Sequence, residues 1–488
     1  MKKLSRILRW LIYILPAVLL FSYYPIIPLG VSETMNFELS LPMIWLVVFD
    51  VISLVILVWQ RDFSFFKKWY WFLFPIFATV SLAWSDNLVR GVLTVGIIWL
   101  VAFAIYAILR FHKEFLDARG FSYTFLKFFF ASALAICAWC VVQCVMDVMG
   151  VSRDYTLLCR GCVYQMFGFP HPNGFAIEPQ FMGNLLLAPT LVAIYLEGAN
   201  ILSWAAFARP VATGGRRLSS RCRAPEALRK NIWRHLSILF TIFILTFTLF
   251  LTFSRGAIYA FIVGLIFMSA AMIVKKIGLK KIVMVWGMVV VAFLAALNVQ
   301  GILAQVSPTN DTYVSGVSKV LNHLSLGIID VRGTTEEVSM EEGEVATAIE
   351  ESAFDGYVEE STNIRTELTN NAIKVWSRDF RTMMFGVGIG GAGQAMYNAG
   401  LTGSPKEIVQ NEYASLLLET GAVGILLAIL LVVMIVKNIR KNPMNIIIMT
   451  LGVSYGVSLL FFSGLANALQ IYLLPPVLYI VLRKKLVS

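Results

Sequence analysis

Long apolar runs, parted by short clusters of charged or turn-forming residues, recur from one end of the chain to the other. A helix needs about 20 mostly apolar residues to cross a hydrocarbon core of about 30 Å. Twelve segments meet that pattern, near 9–29, 41–59, 69–84, 91–109, 125–149, 179–197, 236–253, 256–274, 282–298, 413–436, 444–463 and 467–482. The third and twelfth are short, and Ser254-Arg255 alone divides the seventh from the eighth. The pattern predicts an all-α polytopic membrane protein of about 12 transmembrane helices, interrupted late in the chain by one long polar interval.

Composition supports this reading. Hydrophobic residues make up 58% and charged residues 14%, against roughly 45–50% and about 25% in soluble domains. Disordered chains, nucleic-acid binders with a basic surface and ordinary cytosolic enzymes are thereby excluded. The net charge of +11 is accounted for by orientation. With a cytoplasmic N-terminus, the cytoplasmic segments, both termini included, hold 28 of the 40 basic residues, as the positive-inside rule requires. Both termini are then cytoplasmic in a multi-pass protein of the cell membrane. The basic start (Lys2, Lys3, Arg6, Arg9) has no small-residue cleavage site after it and reads as the first span rather than a removed leader. Six cysteines are too few for a disulfide scaffold in 488 residues.

Three regions follow: spans one to nine at 1–298, an extracytoplasmic loop at 299–411, and spans ten to twelve at 412–488. Within the loop, 330–360 carries eleven Asp or Glu against one basic residue, Arg332, and reads as solvated and mobile. The part at 362–381 changes character. Ile364, Leu368, Ala372, Val375 and Trp376 recur at helical spacing, while Arg365, Lys374, Arg378 and Arg381 make it basic. No internal repeat is evident.

Several residues carry candidate chemistry. Arg255 lies between two apolar runs, where a charge is expensive and marks function by default, although an arginine also snorkels to lipid headgroups. Arg365 opens the helical part of the loop; alone it would be a solvated charge. Two guanidinium forks on one membrane face match the oxygens of a pyrophosphate. Phe385 to Gly393 is glycine-rich but follows no strand, so a turn permitting close backbone approach is favoured over nucleotide binding. In Val409-Gln-Asn-Glu-Tyr413, Asn411 is a good helix cap, and capping is compatible with a functional role. Gly168 to Phe181 contains three prolines together with His171, Asn173 and Glu178; such backbone at membrane depth lines a cavity, is buried, or is an ordinary connecting loop. Cys159 and Cys162 face outside as a disulfide or two thiols. Cys137, Cys140 and Cys144 share a helix face as small packing residues. Asp50 and Asp147 are acids in or near spans, and the basic run at 209–234 reads as an anchor at anionic lipid.

With those residues in view, the chain resembles the O-antigen ligase and O-antigen polymerase family of bacterial envelope glycosyltransferases. Thr252-Phe-Ser-Arg-Gly-Ala257 is similar to that family's Ser-Arg-Gly element at an outer membrane edge. Arg365, Trp376 and Gly386-Val-Gly388 resemble its Arg, Trp and Gly-x-Gly element in the large loop. Asn411-Glu-Tyr and Leu417-Leu-Glu-Thr-Gly421 resemble the segment that enters the next helix, and Pro172-Asn-x-Phe-Ala176 with Glu178-Pro are weaker matches.

The resemblance implies a GT-C-like membrane enzyme that transfers or polymerises saccharides carried on a polyprenyl pyrophosphate, such as undecaprenyl pyrophosphate, at the outer face of the bilayer. The acceptor would be a saccharide or another lipid-linked unit. It implies that Arg255 and Arg365 engage the pyrophosphate, with no cofactor, metal or nucleic acid. The family's ligases have histidine before the asparagine, as the proposed base; here Gln410 stands there, and an amide accepts no proton near neutral pH. Gln410 would orient the acceptor hydroxyl, leaving Glu412, Glu178 and His171 as base candidates. Asn411, Asn173, Arg378 and Arg381 are expected to bind substrate. The rival readings are a transporter or flippase of a lipid-linked or anionic substrate and a non-catalytic envelope accessory protein.

Overall fold

The computed structural model describes residues 2–22, 27–32, 35–116, 120–149, 172–176, 178–198, 224–276, 279–306, 312–325, 363–439, 445–465 and 468–483. Apart from one hairpin, the regular elements among these residues are helices. In chain order they are α1 (Lys2–Leu19), β1 (Ile27–Ser32), β2 (Met35–Leu39), α2 (Leu41–Trp59), α3 (Ser64–Lys67), α4 (Leu73–Ser81), α5 (Leu88–Arg110), α6 (His112–Leu116) and α7 (Phe121–Val148). There follow α8 (Pro179–Gly198), α9 (Ala224–Leu251), α10 (Arg255–Val274), α11 (Leu279–Val306) and α12 (Tyr313–Leu324). Then come α13 (363–376), α14 (Phe380–Phe385), α15 (Ala392–Asn398), α16 (Glu412–Ile439), α17 (Asn445–Ser458) and α18 (Leu469–Arg483).

Seven described helices are long and apolar enough to cross a membrane: α2, α5, α7, α8, α10, α11 and α16, counted over their described residues. Helix also occupies the other expected segments, but in shorter or more charged form. The apolar parts at Trp69–Trp84, Ser237–Leu251, Ile446–Ser458 and Leu469–Leu482 fall short of that length.

The first expected span is corrected at its C-terminal half. Helix α1 stops at Leu19, and β1 begins at Ile27. Pro28 has no amide hydrogen for an intrahelical bond, and Gly30 weakens a helix. β1 instead pairs antiparallel with β2, from Ile27 opposite Leu39 to Ser32 opposite Met35, with an irregularity between Pro28 and Gly30. The segment at 69–84 is likewise broken, into a 3-10 turn at Trp69–Phe72, α4, and a second 3-10 turn at Leu82–Trp84.

α8 is the axis of the bundle. Its membrane-length window is wholly buried, against α7, α9, α10, α11 and α17. Small residues make the closest approaches. A side chain at Gly183 would collide with Ala257, and one at Gly264 would press on Ser454. Ser454 Oγ donates to the Ala260 carbonyl at 2.8 Å, joining α17 to α10. In a bilayer, where lipid is as apolar as leucine, such close backbone contact and interhelical hydrogen bonding hold helices together. Cys137, Cys140 and Cys144 are buried free thiols on α7, as their spacing suggested.

The loop module at 363–421 has its own small core. Ala372 and Val375 of α13 pack with Ala392, Ala395 and Met396 of α15 and with Val409, Ala414 and Leu418. Trp376 closes it, and its Nε1 donates to the Met383 carbonyl at 3.0 Å. The expected amphipathic helix at 362–381 is therefore present as α13, ending before a short turn and α14. The acidic stretch 330–360 lies outside the described residues.

Candidate functional site

Local chain geometry first fixes Arg255. α9 ends at Leu251, and Phe253 takes a positive φ of 44°, an uncommon and costly conformation for a bulky residue. Ser254 then caps α10, its Oγ accepting the Ala257 amide at 3.4 Å. Arg255 is thus the first residue of α10. A cation here runs against the helix dipole, and the two positive features together favour an anion.

A second element comes from α12, inside the large loop. His323 is buried, and its Nε2 lies 3.2 Å from the Phe253 carbonyl. A carbonyl only accepts, so Nε2 carries the hydrogen. Both Arg255 and Arg365 act electrostatically on this one imidazole. Burial, with the two cations adding to it, lowers the His323 pKa from 6.5 to about 3, so the ring is neutral. Tyr259, one turn beyond Arg255, donates its hydroxyl to the Leu324 carbonyl at 2.5 Å and pins the end of α12 to α10.

The backbone after α17 supplies the junction. The Phe461 carbonyl accepts Gln180 Nε2 at 3.0 Å and faces Arg365 Nη1 at 3.5 Å. The Phe461 ring stands 5.8 Å from that of Tyr259, and a side chain at Gly256 would meet Phe461 Cβ at 2.7 Å. Residue 461 therefore touches α8, α10 and α13 at once. Glu178, just before α8, remains exposed as a residue. Partial desolvation raises its carboxyl pKa above the ordinary value, and Arg365 opposes the rise. Arg255, Arg365, Glu178, Gln180 and His323 are thus brought to one edge of the bundle.

Residues 240–429 match the family described as O-antigen ligase. Over that stretch, 190 of the 488 residues, the chain is similar to the O-antigen ligase family. No curated protein matches the chain. The O-antigen ligase region contains both arginines, the glycine-rich segment and Gln410 to Glu412, whereas Gln180 and Phe461 lie outside it.

The remaining expected residues divide. In the O-antigen ligase region, Asn411 Oδ1 accepts the amides of Tyr413 and Ala414 at 3.1 and 3.2 Å and caps α16. The Glu412 carboxylate accepts the Gly464 amide at 3.1 Å, three residues from the carbonyl that Arg365 faces. Gln410 is exposed in a bend just before that cap. Arg378 and Arg381 are exposed and act on Asp86, not on the imidazole shared by the other two arginines. Asn173 is buried, its Nδ2 donating to the Ala176 carbonyl at 2.8 Å and its Oδ1 accepting from Gln143 at 3.3 Å. That side chain braces the turn before α8. His171, Cys159 and Cys162 lie outside the described residues.

The glycine-rich segment is a wedge of bare backbone, as its composition suggested. Gly388 approaches Ser85, and Gly390 approaches Gly91, so closely that added side chains would lie 2.5 Å from backbone atoms. Ser85 Oγ donates to the Ile389 carbonyl at 2.8 Å, and the Ile389 amide donates to Ser81 Oγ at 3.2 Å. The wedge docks the loop module onto the corner between α4 and α5. Sequence reasoning missed Gln180, His323 and Phe461.

Proposed function

We propose that this chain is a membrane glycosyltransferase of the O-antigen ligase family, acting on saccharides linked to a polyprenyl pyrophosphate at the outer face of the cytoplasmic membrane. The observation that carries the proposal is the junction at Phe461, whose carbonyl faces Arg365 at 3.5 Å and whose side chain abuts Gly256, the residue after Arg255, while both cations act on buried His323. Two cations acting on one neutral ring, one of them at a helix N-terminus, suit a diphosphate whose charge grows during reaction.

In the reaction, the acceptor hydroxyl oxygen attacks the anomeric carbon of the donor sugar. The new C–O bond forms as the bond to the carrier phosphate breaks, and that electron pair leaves on the pyrophosphate. Arg255 and Arg365 stabilise this charge where it develops. The acceptor proton passes to a carboxylate. Glu178 is the base we favour, because it shares the field of Arg365; Glu412 instead holds the 461–464 turn through Gly464.

The test is reconstitution of the full chain with a lipid-linked saccharide donor. Arg255→Ala and Arg365→Ala should each lower product formation by about 10²–10³-fold, the usual effect of losing a fixed donor to developing charge, while membrane insertion is retained. Lysine at either position should recover part of the rate, since it restores charge without the planar fork. Full product from both alanine variants would refute the reading. Lipid movement without bond formation would support a flippase instead.

A further inference from the structure

A second charged site lies at the far end of α5 from the glycine-rich wedge. That helix has 23 residues, hence a length of about 35 Å, enough to span the hydrocarbon core. Gly91 near its start meets Ile389 of the wedge. Arg110 at its end borders a cavity of about 420 Å³ between the α2–α4 connection and the start of α6. Lys68, Trp71, His112 and Lys113 also line it.

Charge in this cavity is incompletely balanced. Asp62, the acid in its lining, is taken by Arg110, whose Nε donates to Oδ2 at 2.7 Å. Its other oxygen accepts the Ser64 amide at 3.1 Å. Among the described residues, neither Lys68 nor Lys113 makes an ion pair. Among the described residues the site therefore offers two ammonium groups without an acidic partner, in a lining that also includes Trp71 and Leu109.

The surroundings indicate what reaches it. Trp59 at the end of α2, and Phe66 and Trp69 in the connection that follows, are each more than half exposed. Exposed tryptophan at the end of a span sits at headgroup level, and basic pockets between transmembrane helices hold lipid headgroups. We infer that this cavity binds the phosphate of an anionic phospholipid, with its acyl chains along the apolar surface of α2 and α5. This inference is independent of the glycosyltransferase reading, since the cavity's lining includes none of the residues that form the arginine site.

The test uses the full chain in detergent with three probes: phosphatidylglycerol, phosphatidylcholine and inorganic phosphate. Native mass spectrometry counts bound lipid over a concentration series. Phosphatidylglycerol should be retained in preference to phosphatidylcholine, and millimolar inorganic phosphate should not displace it. A lysine near a charged lipid surface contributes about fivefold in affinity. Lys68→Gln should therefore weaken phosphatidylglycerol about fivefold, and Lys68→Gln with Lys113→Gln about 25-fold. Lys67→Gln, at a position outside the lining, should leave binding unchanged. Equal retention of the two lipids, unchanged affinity in the double variant, or full displacement by inorganic phosphate alone would each overturn the proposal. The competition arms need no variant, so they decide the matter even if a substitution disturbs folding.

Discussion

Gln180 Nε2 donates to the Phe461 carbonyl at 3.0 Å, binding the start of α8 to the turn after α17. The same oxygen faces Arg365 at 3.5 Å, so the amide sets the height at which that guanidinium is presented. Gln180 is buried, and deleting a buried partner costs about 1–3 kcal/mol. Gln180→Ala is expected to reduce glycosyl transfer by about tenfold or more with the protein still inserted and folded. Gln180→Glu should be worse, because a carboxylate beside Arg365 competes with the pyrophosphate. Assays of chain growth on both variants check this; equal rates for wild type and Gln180→Glu would contradict it.

His323 gives the fold a pH dependence of known sign. Its pKa in the folded protein is about 3, and in the unfolded chain about 6.5. Between those values the unfolded state binds more protons, so stability rises with pH. The contribution is complete above about pH 6.5 and is lost as pH falls toward 3. Thermal unfolding at pH 7.5, 6 and 5 should show a progressive loss, and His323→Asn should flatten that slope. A variant with the same slope as wild type would mean that other groups set it.

The wedge at 386–393 separates steric from conformational effects. Gly390 has φ of +78°, and an added Cβ would lie 2.5 Å from the Gly91 amide nitrogen. Gly400 has φ of +69° with nothing within 4 Å. Alanine at Gly400 pays only the left-handed penalty, about 1–2 kcal/mol. Alanine at Gly390 must also push the loop module off α5. We expect Gly390→Ala to lower both thermal stability and product formation, and Gly400→Ala to lower stability slightly with activity kept. Thermal unfolding paired with the transfer assay distinguishes them.

Much of this arrangement is written in the chain, because apolar windows of membrane length tolerate few other structures. Arg255 stands out in the sequence because a guanidinium beside hydrocarbon needs a reason, whereas Arg365 stands out only as a second cation on the same face and through the family resemblance. The end of α1 was misread because apolar content continued past Leu19 while Pro28 and Gly30 turned the backbone into a hairpin. α12 was overlooked inside a polar interval, although Thr312 is a capping residue and Val314, Val317, Val320, Leu321 and Leu324 follow helical spacing. Its discovery brings His323 with it. The role of Phe461 had no side-chain signature: the group that Gln180 and Arg365 share is a backbone carbonyl, which every residue possesses.

Glu178 offers the sharpest separation between the two carboxylates that remain as base candidates. A general base works only when ionised, so transfer should rise with pH through its pKa. Desolvation lifts that pKa above an ordinary glutamate, while the positive charge of Arg365 holds it down. Replacing Arg365 by Gln removes the opposing charge, so the acid limb of the residual rate should move to higher pH; Arg365→Lys should move it less. Glu178→Gln should abolish the limb together with most of the rate. Glu412→Gln should act differently, weakening the bond to Gly464 and lowering the rate at every pH without displacing the limb. The pH–rate profiles of these four variants carry the assignment. Should Glu178→Gln keep the wild-type profile, the base lies elsewhere.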